Sequence, residues 1–284
     1  MQWAWKDGKL LPVDEACLNV RDSAILHGAS LFETLRCYSG YPFRLEAHLQ
    51  RMRRWLERLY LFARAREQLD LSTSTIQNAI ALLLDACGLR KEDARLRITV
   101  TAGSECCPPS CFLLADRITA EQIAQWQAGV KAVLRPDPRS AQAEMPKWGS
   151  YAWHLDAQAE AQRHDAQETV WVNREGYITE SAISNIFIWH KNTLKTPPLR
   201  EGILAGITRQ VIFEIAERLH IPSREERIPL PYLREAQAVL LTNSVREIVP
   251  VTQLGSMPFA THPIVAQLQQ AYHQLVQEEA TLSQ

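Results

Sequence analysis

Lysine is scarce in this chain, with seven residues against 24 arginines among 284. Charge of neither sign is in excess, since 31 basic and 32 acidic side chains leave a formal net charge of −1. Such a balance gives no electrostatic ground for a polyanionic partner, so neither nucleic acid nor an acidic membrane surface is expected. Long apolar runs are missing too. Stretches such as IALLLDACGL are broken by charge after a few residues, and the opening MQWAWKDGKL lacks a signal-peptide core. No spanning helix is therefore expected, and the protein reads as cytoplasmic. No histidine stands at zinc-ligand spacing from the cysteines, and a reducing compartment disfavours disulfides. Cys17, Cys37, Cys87, Cys106, Cys107 and Cys111 read as free thiols, with no metal site.

Patterning is what the chain does have. At this length one large or two medium domains can each bury a core. Up to about Asp116 the chain reads as short strands with two helices. FRLEAHLQRMRRWLERL sets Leu45, Leu49, Met52 and Leu59 on one face, and LSTSTIQNAIALLLDACGL ends at Gly88. ASLFETLRCY and ARLRITVTAG read as strands, the second alternating Leu96, Ile98 and Val100 against Arg95, Arg97 and Thr99. The proline-rich RPDPRSAQAEMPKWGS marks a break, which predicts an N-terminal domain over 1–120, a linker over 121–140 and a C-terminal domain over 141–284. In the latter, a helix around WHLDAQAEAQRH, the strands ETVWVN, ISNIFIW and AVLLTN, and a helix over about 263–278 are expected. The class is α+β.

Three local features carry chemistry. In TPPLREGILAGITRQVIFEIA, two prolines precede Ile207, Val211, Ile212 and Ile215 at helical spacing, so a helix begins near Gly206. Its first amides and the dipole would attract an anion, with Thr208 and Arg209 adding a hydroxyl and a cation; an ordinary capped helix fits the same letters. Lys147, in MPKWGSYAW, stands among Trp148, Tyr151 and Trp153. Burial there would yield the neutral amine that imine chemistry needs, although a snorkelling surface lysine would look the same. Glu180, in GYITESAISNIF, is either a solvated loop carboxylate or a placed one. An anion site, an activatable lysine and an isolated carboxylate are together the parts that hold pyridoxal phosphate.

Four ordered blocks make the chain resemble the class IV, fold-type IV pyridoxal-phosphate enzymes. They are HGASLFETLRCYSGYPFRLEAHLQRM, GYITESAISNIFIW, TPPLREGILAGITRQ and LLTNSVREIVPV. That family includes branched-chain aminotransferases, D-amino-acid aminotransferases and aminodeoxychorismate lyases. The resemblance implies a smaller N-terminal α/β sandwich, a larger barrel-like C-terminal domain with helices, pyridoxal 5'-phosphate as cofactor and a homodimer. Residue by residue, it implies that Lys147 is the Schiff-base lysine and that Glu180 partners the pyridine nitrogen. Arg51 would clamp the phosphate, joined by Ile207, Thr208 and Ser244. A solvated helix-face charge is the plainer account of Arg51.

Among the family's activities, the blocks look most like the lyases that convert 4-amino-4-deoxychorismate to 4-aminobenzoate and pyruvate for folate synthesis. Branched-chain enzymes usually carry glycine where Thr34 stands, and D-amino-acid enzymes an arginine-bearing segment in place of TVTAGSE. Thr34 is a catalytic candidate beside Lys147, and equally an ordinary strand-face threonine. Arg36, Arg95 and Arg97 are candidates for the two substrate carboxylates, none preferred. The alternatives are an aminotransferase acting on branched-chain or D-amino acids and, further off, a pyridoxal-phosphate-binding protein without turnover.

Overall fold

Alternating apolar residues in SLFETLRCY and ARLRITVT form the central strands of one sheet in the computed structural model, which describes residues 2–138 and 144–282. The chain divides into two units, residues 1–119 with 146–151, and 120–145 with 152–284. The first unit holds a six-stranded sheet: β1 (Trp3–Lys6), β2 (Lys9–Pro12), β3 (Ser30–Tyr38), β4 (Tyr41–Pro42), β5 (Ala94–Thr101) and β6 (Cys111–Arg117). Its order is β2-β1-β6-β5-β3-β4, and every pairing is antiparallel.

The period of two in β3 sorts its side chains. Leu31, Leu35 and Cys37 join Leu96, Ile98 and Val100 in one apolar core, to which α2 (Leu45–Arg58) and α4 (Thr73–Ala86) add Leu45, Leu49, Met52, Ile76, Ile80 and Leu83. The short α1 (Ser23–His27) and α3 (Ala63–Gln68) complete the unit's helices. Helix α4 starts where the Ser72 hydroxyl accepts the Thr75 amide, a side-chain N-cap. Phe32, Thr34 and Arg36 occupy the opposite face of β3, opposite Thr99, Arg97 and Arg95 of β5.

The second unit is built on a ten-stranded sheet. Its strands are β7 (Val130–Pro136), β8 (Glu168–Val172), β9 (Tyr177–Ser181), β10 (Asn185–His190), β11 (Thr193–Thr196), β12 (Ser223–Glu225), β13 (Ile228–Pro229), β14 (Ala238–Asn243), β15 (Glu247–Leu254) and β16 (Met257–Pro258). They run β12-β11-β10-β14-β15-β7-β8-β9-β13, with β16 beside β15. Only residues 182–184 separate β9 from β10, yet these strands close opposite ends of the run β10-β14-β15-β7-β8-β9. So short a link forces the sheet to curl into a half-barrel. Ile186, Ile188, Val239, Leu241, Val249 and Val251 fill its inside. Around it lie α5 (Ala120–Ala128), α6 (Ala152–Arg163), α7 (Ile207–Arg218), α8 (Leu230–Glu235) and α9 (Pro263–Leu282).

One expectation needs correction, and one alternative is excluded. The stretch expected as a linker over 121–140 instead contains α5 and β7; residues 139 and 140 lie outside the described residues. Strand β7 is paired in parallel on both sides, to β15 and β8, and those far-off partners override the local proline signal. Glu180 is no loop residue either: it lies within β9 and is buried. The six cysteines are free thiols, and no helix among the described residues is long and apolar enough to cross a membrane.

Candidate active site

In the second unit, the turn from β9 into β10 and the start of α7 are locked together. Glu180 accepts the Leu204 amide at 3.0 Å and lies 3.4 Å from the Asn185 side-chain nitrogen, which also donates to the Leu204 carbonyl at 2.9 Å. Asn185 thus ties Glu180 to the loop that enters α7. The same side chain sets the helix start, because a Cβ on Gly206 would collide with Asn185 Oδ1. Only glycine permits that approach.

Gly206 is the N-cap of α7 and supplies no side-chain cap to the first-turn amides. Thr208 Oγ1 lies 3.3 Å from Ser244 Oγ, which projects from the turn between β14 and β15. An uncapped helix start beside paired hydroxyls and a glycine cradle fits a phosphate. Ile207, Thr208 and Ser244, named from the sequence, are therefore brought together, and the buried Glu180 carboxylate of β9 is bonded to the loop that enters α7.

The Ser244 turn has its own bracing. Asn243 Oδ1 accepts the amides of Val245 and Arg246 at 3.0 and 2.8 Å, while its amide nitrogen donates to Ser184 Oγ at 2.9 Å. Arg246 reaches Glu168 at 2.6 Å, and Ser181 donates to the other Glu168 oxygen at 3.0 Å. Burial pushes the Glu168 carboxyl up, opposed by Arg246 and Ser181. Glu247 takes a left-handed φ of 63°, and its carboxylate lies 2.6 Å from His273 on α9. A non-glycine residue in that region is costly and is kept only where its surroundings hold it.

In the first unit, Lys147 lies along the edge of β3. Its carbonyl accepts the Phe32 amide at 3.0 Å, and the Gly149 amide donates to the Ser30 carbonyl at 2.7 Å. Gly149 is required, since a Cβ would run into Ser30. The half-buried Lys147 sends its amine to 4.7 Å from the centroid of the Phe32 ring, and Tyr151 meets that ring edge-on at 5.4 Å. Arg97 also covers Phe32, its guanidinium carbon 3.7 Å from the centroid. Thr34 is the cross-strand partner of Arg97.

The three candidate arginines now differ. Arg36 is bound to Asp93 at 2.5 Å and Arg95 to Asp116 at 2.7 Å. Arg97 donates to Thr99 Oγ1 at 3.3 Å and has no carboxylate partner among the described residues. Burial pulls its pKa below the usual arginine range, partly offset by Tyr151. An anion beside it would recover the lost solvation.

Arg51 is no solvated helix-face charge. It is buried and forks onto Glu33 of β3, Nε to Oε1 at 2.9 Å and Nη2 to Oε2 at 2.5 Å. His48 joins the same carboxylate at 2.7 Å. Burial would raise the Glu33 pKa, but the Arg51 charge and the His48 hydrogen bond hold it at about 2. Glu33, His48, Asn185 and Glu168 are absent from the sequence-derived site. Nothing local in the sequence singled them out.

The model of the class IV amino-transferase family matches residues 30–254. The chain is similar to an aminodeoxychorismate lyase of Bacillus subtilis (strain 168), 26% identical over 264 residues that cover 90% of this chain and 87% of that protein. It is also similar to a branched-chain-amino-acid aminotransferase of Salmonella typhimurium, 28% identical over 298 residues, covering 95% and 91%. The solved branched-chain aminotransferase from Thermoproteus uzoniensis, with norvaline, superposes with a TM-score of 0.84 at 26% identity, covering 97% and 94%.

Proposed function

Because the chain belongs to the class IV aminotransferase family, whose cofactor is pyridoxal 5'-phosphate, we propose that it is a lyase converting 4-amino-4-deoxychorismate to 4-aminobenzoate and pyruvate. Arg51, Ile207, Thr208 and Ser244 would hold the cofactor's phosphate, Lys147 would bind it covalently through Nζ, and Glu180 would keep its pyridine nitrogen protonated. Bound pyridoxal 5'-phosphate supplies a ring that accepts the electron pair left when a proton leaves the substrate.

As a free amine, Lys147 Nζ would take the proton from the substrate carbon that bears the substrate's amine. The electron pair left behind would expel the enolpyruvyl oxygen from the neighbouring ring carbon, breaking the C–O bond. The enolpyruvate would take up a proton to leave as pyruvate, and the substrate ring would become aromatic, which favours the step. Arg97 would bind a substrate carboxylate and so orient the ring, with the Thr34 hydroxyl beside it. The observation that carries the lyase reading is this pair: Thr34, where branched-chain enzymes usually have glycine, stands across from Arg97, which has no carboxylate partner among the described residues.

An aminotransferase is the second reading, supported by the likeness to branched-chain enzymes. It would use Lys147 to return a proton rather than release pyruvate. Product analysis with each substrate class separates the two. A homodimer goes with either reading.

A further inference from the structure

Resting on the reading of Ser244 as a phosphate ligand, we infer that Arg246 and Glu168 are positioning residues for the phosphate-binding turn. Arg246 lies two residues past Ser244, and its guanidinium reaches into the sheet to Glu168, whose side chain is 1% exposed. Ser181 fills the other Glu168 oxygen. A turn held by backbone alone could swing Ser244 away from Thr208, whereas a charge-assisted bond to a buried, doubly bonded carboxylate gives the turn a fixed anchor. The anchor is chemically specific, because a buried carboxylate without its arginine is strongly disfavoured and the turn must stay down to neutralise it. Asn243 braces the near side of the turn through Ser184, so Ser244 is held from both flanks. Glu180, next to Ser181, keeps its own contacts to Leu204 and Asn185, so loosening Arg246 should spare the far end of the cofactor.

The test is calorimetric titration of the cofactor-free protein with pyridoxal 5'-phosphate, with pyridoxal, which lacks the phosphate, and with inorganic phosphate. Two variants are used, Arg246→Lys and the double Glu168→Gln/Arg246→Leu, the latter leaving no unpaired buried charge, so that folding is preserved; circular dichroism checks this. The expected result is a Kd raised by roughly tenfold or more for both phosphate-bearing ligands in the double variant, the scale on which outer partners orient a binding group. A smaller rise is expected in Arg246→Lys, and an unchanged Kd for pyridoxal in both. Folded variants that keep the parent's preference for the phosphate-bearing ligand, or that lose pyridoxal equally, overturn the inference. A parent protein that binds pyridoxal 5'-phosphate no better than pyridoxal would instead contradict the phosphate assignment itself.

Discussion

Lys147 and Arg97 share one aromatic ring: the lysine amine lies 4.7 Å and the guanidinium carbon 3.7 Å from the centroid of Phe32. The guanidinium and the lysine amine thus converge on one ring, and an anion arriving there would be attracted by Arg97. The arrangement suits an acidic substrate whose reacting carbon must come close to the lysine.

Replacing Arg97 by leucine should therefore raise KM for the substrate by about 10- to 100-fold, the range for a charge-assisted hydrogen bond of about 1.5–3 kcal/mol, with little effect on cofactor binding. Steady-state kinetics check this, and an unchanged KM would remove Arg97 from the substrate site.

Lys147→Ala should abolish both the visible absorbance of bound cofactor and turnover while leaving the far-ultraviolet circular dichroism of the parent. The hydrogen bond from the Phe32 amide goes to the Lys147 carbonyl and does not involve the side chain, so this pairing at the strand edge survives loss of the amine. A variant that kept its colour and most of its activity would assign the chemistry elsewhere.

Glu180→Gln keeps an oxygen for the Leu204 amide but loses the charge. Cofactor should still bind, and turnover should fall because a neutral amide no longer favours a protonated pyridine nitrogen. Stopped-flow rates equal to the parent's would reject that role.

The Glu33–Arg51 pair predicts an acid limit to stability. The Glu33 pKa in the folded chain, about 2, lies below its usual 4.5, so its contribution is complete above 4.5 and is lost as pH falls toward 2. His48 adds the same sign: burial lowers its pKa from 6.5, so below that value the unfolded chain takes up the proton more readily. Denaturant titrations across this range should show the loss, with a shallower slope below pH 4.5 in Glu33→Gln. Arg51→Lys retains a charge for Glu33 but not the fork, and should raise the cofactor Kd in a folded protein. A pH-independent stability would contradict the first expectation, and an unchanged Kd the second.

The sequence made legible what depends on neighbours in the chain. Helix α7 begins one residue after Gly206, and β5 has the alternation that ARLRITVT announced. Ordered motifs name Lys147, Glu180, Thr208 and Ser244 as candidates, and of these Thr208 and Ser244 lie side by side. What escaped depends on contacts across the fold. Glu33 is buried against Arg51, and Glu168 is buried against the partly exposed Arg246. Strand β7 exists because β8 and β15 flank it.

The most direct measurement is product analysis on purified protein supplied with pyridoxal 5'-phosphate and 4-amino-4-deoxychorismate. Lyase activity predicts 4-aminobenzoate and pyruvate in equal amounts, with no amino acceptor needed. Formation of neither, together with amino-group transfer from branched-chain or D-amino acids to 2-oxoglutarate, would contradict the lyase and identify an aminotransferase.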